Sequence, residues 1–280
     1  MIGKVMGRYS LLRIQRGFRR RFGASYVGRN LTVLPDDIFL TSYPKSGNTW
    51  TRFLIANLSF ATENIDFTNI ERKIPDIYQN LDKNLLQLPT PRLLKSHEYL
   101  DPRYKKVLCI VRDPRDVLLS SYYHCLKFET INNSVSVEAF ADKFIAGEIY
   151  FVGAQNPIGS WADNVGSWLG ARQNDPNFLL VRYEDLKLNT AKELRRISTF
   201  LQIDSSDAVI ERAVTRSSAD SMRQLEKQNT NVWPNKQSRK DISFVRSAKA
   251  GGWKKNLPAS VSQSLESEWK TTMRALDYIS

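Results

Sequence analysis

Strands alternating with helices along the chain predict a doubly wound parallel α/β sheet. Two further observations agree. Val107-Leu108-Cys109-Ile110-Val111 and Phe178-Leu179-Leu180-Val181 are apolar runs without polar alternation, as expected of strands covered on both faces. A chain of 280 residues with 41% hydrophobic content can build one sizeable core.

Taken in order, the first strand is Ile38-Phe39-Leu40. It runs into Thr41-Ser42-Tyr43-Pro44-Lys45-Ser46-Gly47-Asn48-Thr49-Trp50, where Pro44 and Gly47 break the chain. Trp50, Phe53, Leu54 and Leu58 then recur at helical spacing. Residues 62–91, broken by Pro75, Pro89 and Pro91, read as short helices and loops covering a pocket. Arg92 to Ser96 form an extended segment; if it continues to His97, Lys95 and His97 point to the same side.

After the strand 107–111 come Arg112, then Asp113 as N-cap, Pro114 at the first helical position and Asp116 in an acidic first turn. Residues 135–146 and 159–171 read as helices. The strand 178–181 leads into Arg182-Tyr183-Glu184-Asp185-Leu186. Residues 189–228 read as helices with breaks near Asp204 and Ser217. Asn229 to Gly252 is a polar, basic loop, and one last helix runs from about Pro258 to Leu276.

Net charge is +12, of which +8 lies in residues 1–30, a segment without any acid, leaving +4 for the rest. That head suits contact with an anionic membrane or nucleic acid, a mitochondrial transit segment, or a solvated helix packed on the domain. Arginines interrupt its apolar runs, which argues against a secretory signal. Cys109 and Cys125 are expected to be buried thiols, and a reducing compartment fits. No apolar run approaches the ~20 residues of a membrane span.

A strand, a tight loop and a helix N-terminus make an anion site, because loop and helix amides converge where the helix dipole favours negative charge. Lys45 adds a full charge, and Ser46, Asn48 and Thr49 add short donors. The nucleoside-triphosphate loop ends in Gly-Lys-Ser/Thr, whereas here the lysine precedes the glycine by two. That argues against a kinase or NTPase. A non-catalytic binder led by the basic head leaves His97 unexplained. Ligands in such sheets sit beyond the carboxyl ends of the strands, so Lys45, His97, Arg112 and Tyr183 should gather on one edge. Arg112 suits either a phosphate or a solvated strand end, and Ser120 either a site or helix packing. His124, inside a helical pattern, reads as structural.

Together these residues resemble the cytosolic sulfotransferases. Tyr43 to Trp50 is similar to that family's 5′-phosphosulfate loop. Val111-Arg112-Asp113-Pro114-Arg115-Asp116-Val117 through Ser120-Ser121-Tyr122-Tyr123 is similar to its 3′-phosphate segment. Lys95-Ser96-His97 resembles its Lys-Thr-His, Tyr183-Glu184-Asp185 matches another landmark, and Arg246 to Lys254 resembles its C-terminal Arg-Lys-Gly-x-x-Gly-Asp-Trp-Lys.

The resemblance implies a sheet of the P-loop nucleotide-hydrolase/kinase-like type over 31–280, behind a basic segment 1–30. It implies 3′-phosphoadenylyl sulfate (PAPS) as sulfuryl donor, no metal, an acceptor hydroxyl on a small molecule, lipid or glycan, a cytoplasmic location and no nucleic-acid partner. Peripheral membrane contact through residues 1–30 stays open. The implied base is His97, with Lys45 on the leaving phosphate and Lys95 at the sulfuryl oxygens. The implied donor site is Lys45, Ser46, Gly47, Asn48, Thr49, Trp50, Arg112, Ser120, Tyr183, Ser217, Arg246, Ser247 and Ala248.

There are departures from the family pattern. Asn48 replaces a threonine. Ser247, Ala248 and Gly252 replace Lys, Gly and Asp, so either one cationic contact to the 3′-phosphate is lost or Lys249 supplies it. Ala219 replaces an aromatic. Pro258, Ala259 and Gln263 depart from the family's dimerisation pattern.

Overall fold

In the computed structural model, residues 28–151, 158–203, 205–232 and 238–280 are described. The basic head up to residue 27, and the expected break at Asp204, lie outside them.

Four strands, β1 (Ile38–Ser42), β2 (Leu93–Ser96), β3 (Lys106–Val111) and β4 (Phe178–Arg182), form one parallel sheet in the order β2-β1-β3-β4. The expected doubly wound parallel sheet is therefore what the chain builds. Alternation along the strands splits the core into two layers. Phe39, Val107, Cys109 and Val111 face one way, onto Trp161, Trp168, Leu265 and Trp269. Leu40, Leu108 and Ile110 face the other, onto Phe53, Leu54, Ile197 and Ile210. Both faces are covered, which explains the unalternated apolar runs. Cys109 and Cys125 are buried and free, as expected.

The helices that matter most are α1 (Asn48–Ser59), α2 (Pro114–Lys127), α3 (Val137–Ile145), α4 (Trp161–Arg172), α5 (Tyr183–Leu188), α6 (Thr190–Leu201), α7 (Asp207–Arg216), α8 (Ala219–Gln228), α9 (Ala259–Glu268) and α10 (Lys270–Ala275). Asp113 caps α2 by accepting from the Arg115 N–H at 2.9 Å, and Pro114 takes the first position. Residues 62–91 hold only the short turns Ile70–Lys73 and Asp82–Leu85. No helix among the described residues is long and apolar enough to cross a membrane.

Two expectations are corrected. The single C-terminal helix is two, broken at Trp269, whose ring is buried between Trp161 (5.5 Å) and Phe144 (5.6 Å). A residue anchored that firmly sets the chain direction, and its backbone leaves the helical region at φ −113° and ψ 24°. The second strand ends at Ser96, so Lys95 and His97 do not share one continuous strand.

Candidate active site

Because all four strands are parallel, their carboxyl ends open on one edge. Lys45 follows β1, His97 follows β2, Arg112 follows β3 and Tyr183 follows β4, and all four line a single cavity there. The strand connections diverge between β1 and β3, the switch point at which such sheets bind ligands.

The loop after β1 is held tightly. The Ser46 N–H donates to the Tyr43 carbonyl at 3.3 Å, Lys45 sits at φ 70° and Gly47 at φ 102°. Only glycine fits here, since a Cβ on residue 47 would lie 2.5 Å from Cδ2 of Tyr183. The first helical bond of α1 runs from the Thr51 N–H to the Gly47 carbonyl, so the amides of Asn48, Thr49 and Trp50 have no partner within the helix. The Ser46 hydroxyl is buried with no hydrogen-bond partner among the described residues. Asn48 turns its side-chain amide back to β1, donating to the Leu40 carbonyl (3.3 Å) and the Ser42 hydroxyl (3.1 Å).

His97 is fixed by its backbone and its ring. The backbone N–H donates to the Tyr78 hydroxyl at 3.1 Å, and Asn164 donates to its carbonyl at 3.1 Å. Nδ1 lies 2.7 Å from the Ser42 carbonyl, which can only accept, so Nδ1 carries the proton. Nε2 is thus the free acceptor of a residue that lines the cavity. Burial, then the Lys95 charge, pushes the imidazole down to about 3, so it is neutral at pH 7. Lys95 itself is ion-paired with Asp76.

Positive charge collects around the cavity. Burial first, and then Arg112, Lys95 and Arg246, push the Lys45 ammonium down to about 7. Among the described residues no carboxylate lies within 4 Å of Lys45, Lys187 or Arg246. Arg112 lies over the Tyr183 ring at 4.2 Å, reaches the Lys249 carbonyl at 2.9 Å and has a buried Nε without a partner. Asp116 is 3.4 Å from Arg112 and accepts from the N–H groups of Gly251 (2.7 Å) and Trp253 (2.9 Å), which ties the loop after Arg246 to α2. Desolvated cations without counter-charges fit a polyanionic ligand. The orphaned donors of Ser46 and Arg112 fit its oxygens.

A strap, residues 238–248, closes one wall. Glu226 accepts from the N–H groups of Phe244 (2.6 Å) and Val245 (3.0 Å), and Lys127 on α2 donates to the carbonyls of Arg239 (3.1 Å) and Ile242 (2.8 Å). Phe244 then lies under the Lys45 ammonium at 4.5 Å, and Arg246 over Tyr123 at 4.5 Å.

The model of the sulfotransferase domain matches residues 35–277. The chain belongs to the sulfotransferase family. It is a sulfotransferase by that membership. It is 27% identical to sulfotransferase 1E1 of Cavia porcellus, over 86% of this chain and 84% of that protein. It is 28% identical to the amine sulfotransferase of Oryctolagus cuniculus, over 86% and 82%. Among solved structures, mouse sulfotransferase SULT7A1 complexed with PAP aligns at TM-score 0.66 and 25% identity, covering 88% of this chain and 87% of that one. Retinol dehydratase, at 20% identity and TM-score 0.72 over 90% and 84%, shares the fold.

Of the residues singled out in the sequence of this sulfotransferase, Lys45, Gly47, Asn48, Thr49, Trp50, Lys95, His97, Arg112, Ser120, Tyr183, Arg246, Ser247 and Ala248 line the cavity. Ser46 is buried in its loop. Ser217 does not line it. It stands behind Trp50, whose indole N–H donates to its carbonyl at 2.8 Å, and its hydroxyl accepts from Asn57 at 3.1 Å. Lys249 offers Arg112 a backbone carbonyl, and its side chain does not line the cavity.

His124, read from the sequence as structural, also reaches the cavity, with Nδ1 3.2 Å from the Lys45 ammonium. The signal was present, since Ser120 and His124 are four apart on one helix and share a face. Lys187 and Phe244 were also missed. Lys187 stands over Trp50 at 4.8 Å, one turn along α5 from Tyr183. Phe244 lay in a loop without periodicity.

Proposed function

We propose that this sulfotransferase moves the sulfuryl group of PAPS to an acceptor hydroxyl, with His97 as general base and Lys45 stabilising the leaving phosphate. The observation that carries this is the pairing, in one cavity, of a neutral imidazole locked at Nδ1 with a desolvated ammonium lacking a counter-charge. PAPS supplies a sulfur activated by a phosphate leaving group.

The protein's residues do the rest. Nε2 of His97 takes the acceptor's O–H proton as the new S–O bond forms, and the bond from sulfur to the phosphate oxygen breaks. Lys45 meets the charge that develops on that oxygen, in a site where burial strengthens the interaction. Ser46 and the free amides at the start of α1 support the 5′ end. Arg112, Ser120 and Arg246, with Ser247 and Ala248, support a 3′-phosphate through charge-assisted hydrogen bonds. Trp50 and Tyr183, 5.7 Å apart and edge to face, support an adenine, and Ser217 orients Trp50. Lys95, paired with Asp76, keeps a positive field beside His97.

Phe151, Phe244 and Pro44 give the cavity that His97 lines an apolar side, which favours a small acceptor with an apolar body. The test is thermal. The product nucleotide bearing 3′- and 5′-phosphates should raise the melting temperature by several degrees, and AMP far less. Equal shifts from the two would remove the 3′ site.

A further inference from the structure

We propose that His124 is a positioning residue for Lys45, its imidazole accepting a hydrogen bond from the ammonium and so holding both the direction and the proton of that group. The inference rests on Lys45 acting at the 5′-phosphate.

The contact is specific. Lys45 Nζ and His124 Nδ1 are 3.2 Å apart, and the Phe244 ring lies 4.5 Å below the same nitrogen. His124 is itself held by rings, with Phe128 at 4.6 Å and Phe151 at 6.2 Å. An ammonium has no lone pair, so a charged Lys45 can only donate and His124 must accept. Burial, and then Lys45, His97, Lys95 and Lys127, hold His124 well below its ordinary range, so it remains a neutral acceptor at physiological pH.

Residue choice at this position has physical consequences. A carboxylate would cancel the Lys45 charge that the donor needs. A phenyl ring would leave a buried ammonium with one fewer acceptor. A neutral imidazole satisfies the group and leaves its charge for an anion. The groups facing Lys45 are otherwise unhelpful to its proton. Arg112 at the end of β3, Lys95 and His97 at the end of β2, and Arg246 on the strap are cationic or neutral, and the Cys125 thiol on α2 stays protonated. Asp76 is engaged with Lys95.

Loss of the acceptor at 124 therefore acts on Lys45. The probe is adenosine 3′,5′-bisphosphate, titrated calorimetrically from pH 6 to 9 in two buffers of different ionisation enthalpy. Wild-type affinity should weaken as pH rises above about 7, with proton uptake on binding, because the anion restores the ammonium. In His124→Phe the break should move down by about one pH unit and affinity at pH 8 should fall ~10-fold, the equivalent of one pKa unit. His124→Asn, whose side-chain oxygen can accept near the Nδ1 position, should recover most of it. If His124→Phe does not fold, His124→Ala replaces it, with the same expected shift and the same recovery by Asn.

A His124→Phe or His124→Ala protein with an unmoved break, altered only in acceptor KM, would make His124 acceptor wall and overturn the inference. Lys45→Ala separates the two readings. If it abolishes the break while the His124 variants keep it, only the inference about His124 fails. If it binds the nucleotide like wild type, the role of Lys45 fails first.

Discussion

In the proposed reaction His97 and Lys45 divide the labour at the level of single side chains, and substitution should separate them. His97→Ala should lower sulfuryl transfer by ~100-fold or more, the usual scale for a lost general base, and change nucleotide affinity little. Lys45→Ala should damage both, since its charge meets the phosphate in the ground state and as the bond breaks. A His97→Ala protein with near-normal turnover at saturating acceptor would take His97 out of the reaction. Much of this site was legible. Lys45, His97 and Arg112 each follow a strand, and a parallel sheet brings strand ends together whatever their separation in sequence. His124 was legible only in part, because its spacing from Ser120 says that the two share a helix face but not what that face looks upon. Nor was the position of Ser217, whose carbonyl serves Trp50. That bond joins residues 167 apart and leaves no local pattern.

The decisive element is the loop from β1 into α1. Its glycine has two reasons to be there, a positive φ and the approach of Tyr183. Gly47→Ala would force one of them to give, and strain of this kind costs about 1–3 kcal/mol. Chemical denaturation should register that loss, and bisphosphate affinity should fall as Tyr183 is displaced. An unchanged affinity would show that the ring is not part of the donor site. Strands and helix starts were readable because they rest on local chemistry, as with Asp113 and Pro114 at the start of α2. The C-terminal break was unreadable. Trp269 leaves the helix for partners on α3 and α4, and periodicity carries no trace of them.

On the scale of the molecule, charge is distributed unevenly. Two-thirds of the net +12 lies in residues 1–30, a segment without any acid. Deleting residues 1–22 should reduce retention on anionic liposomes while leaving turnover of a soluble acceptor nearly intact. Undiminished retention by the shortened protein would assign the membrane affinity to the domain.

The strap of residues 238–248 carries Phe244 and Arg246 only two residues apart, the first against Lys45 and the wall where an acceptor would rest, the second facing the expected 3′-phosphate. Glu226 grips the strap at the N–H groups of Phe244 and Val245, between those two duties. Whatever settles one end should therefore bias the other, which in the proposed reaction would make the two substrates heterotropic ligands of one short segment. Thermodynamic reciprocity then requires that the factor by which bound bisphosphate changes acceptor affinity equal the factor by which acceptor changes bisphosphate affinity. Glu226→Gln, by loosening the grip, should bring that common factor towards one in paired titrations, with each substrate still binding alone.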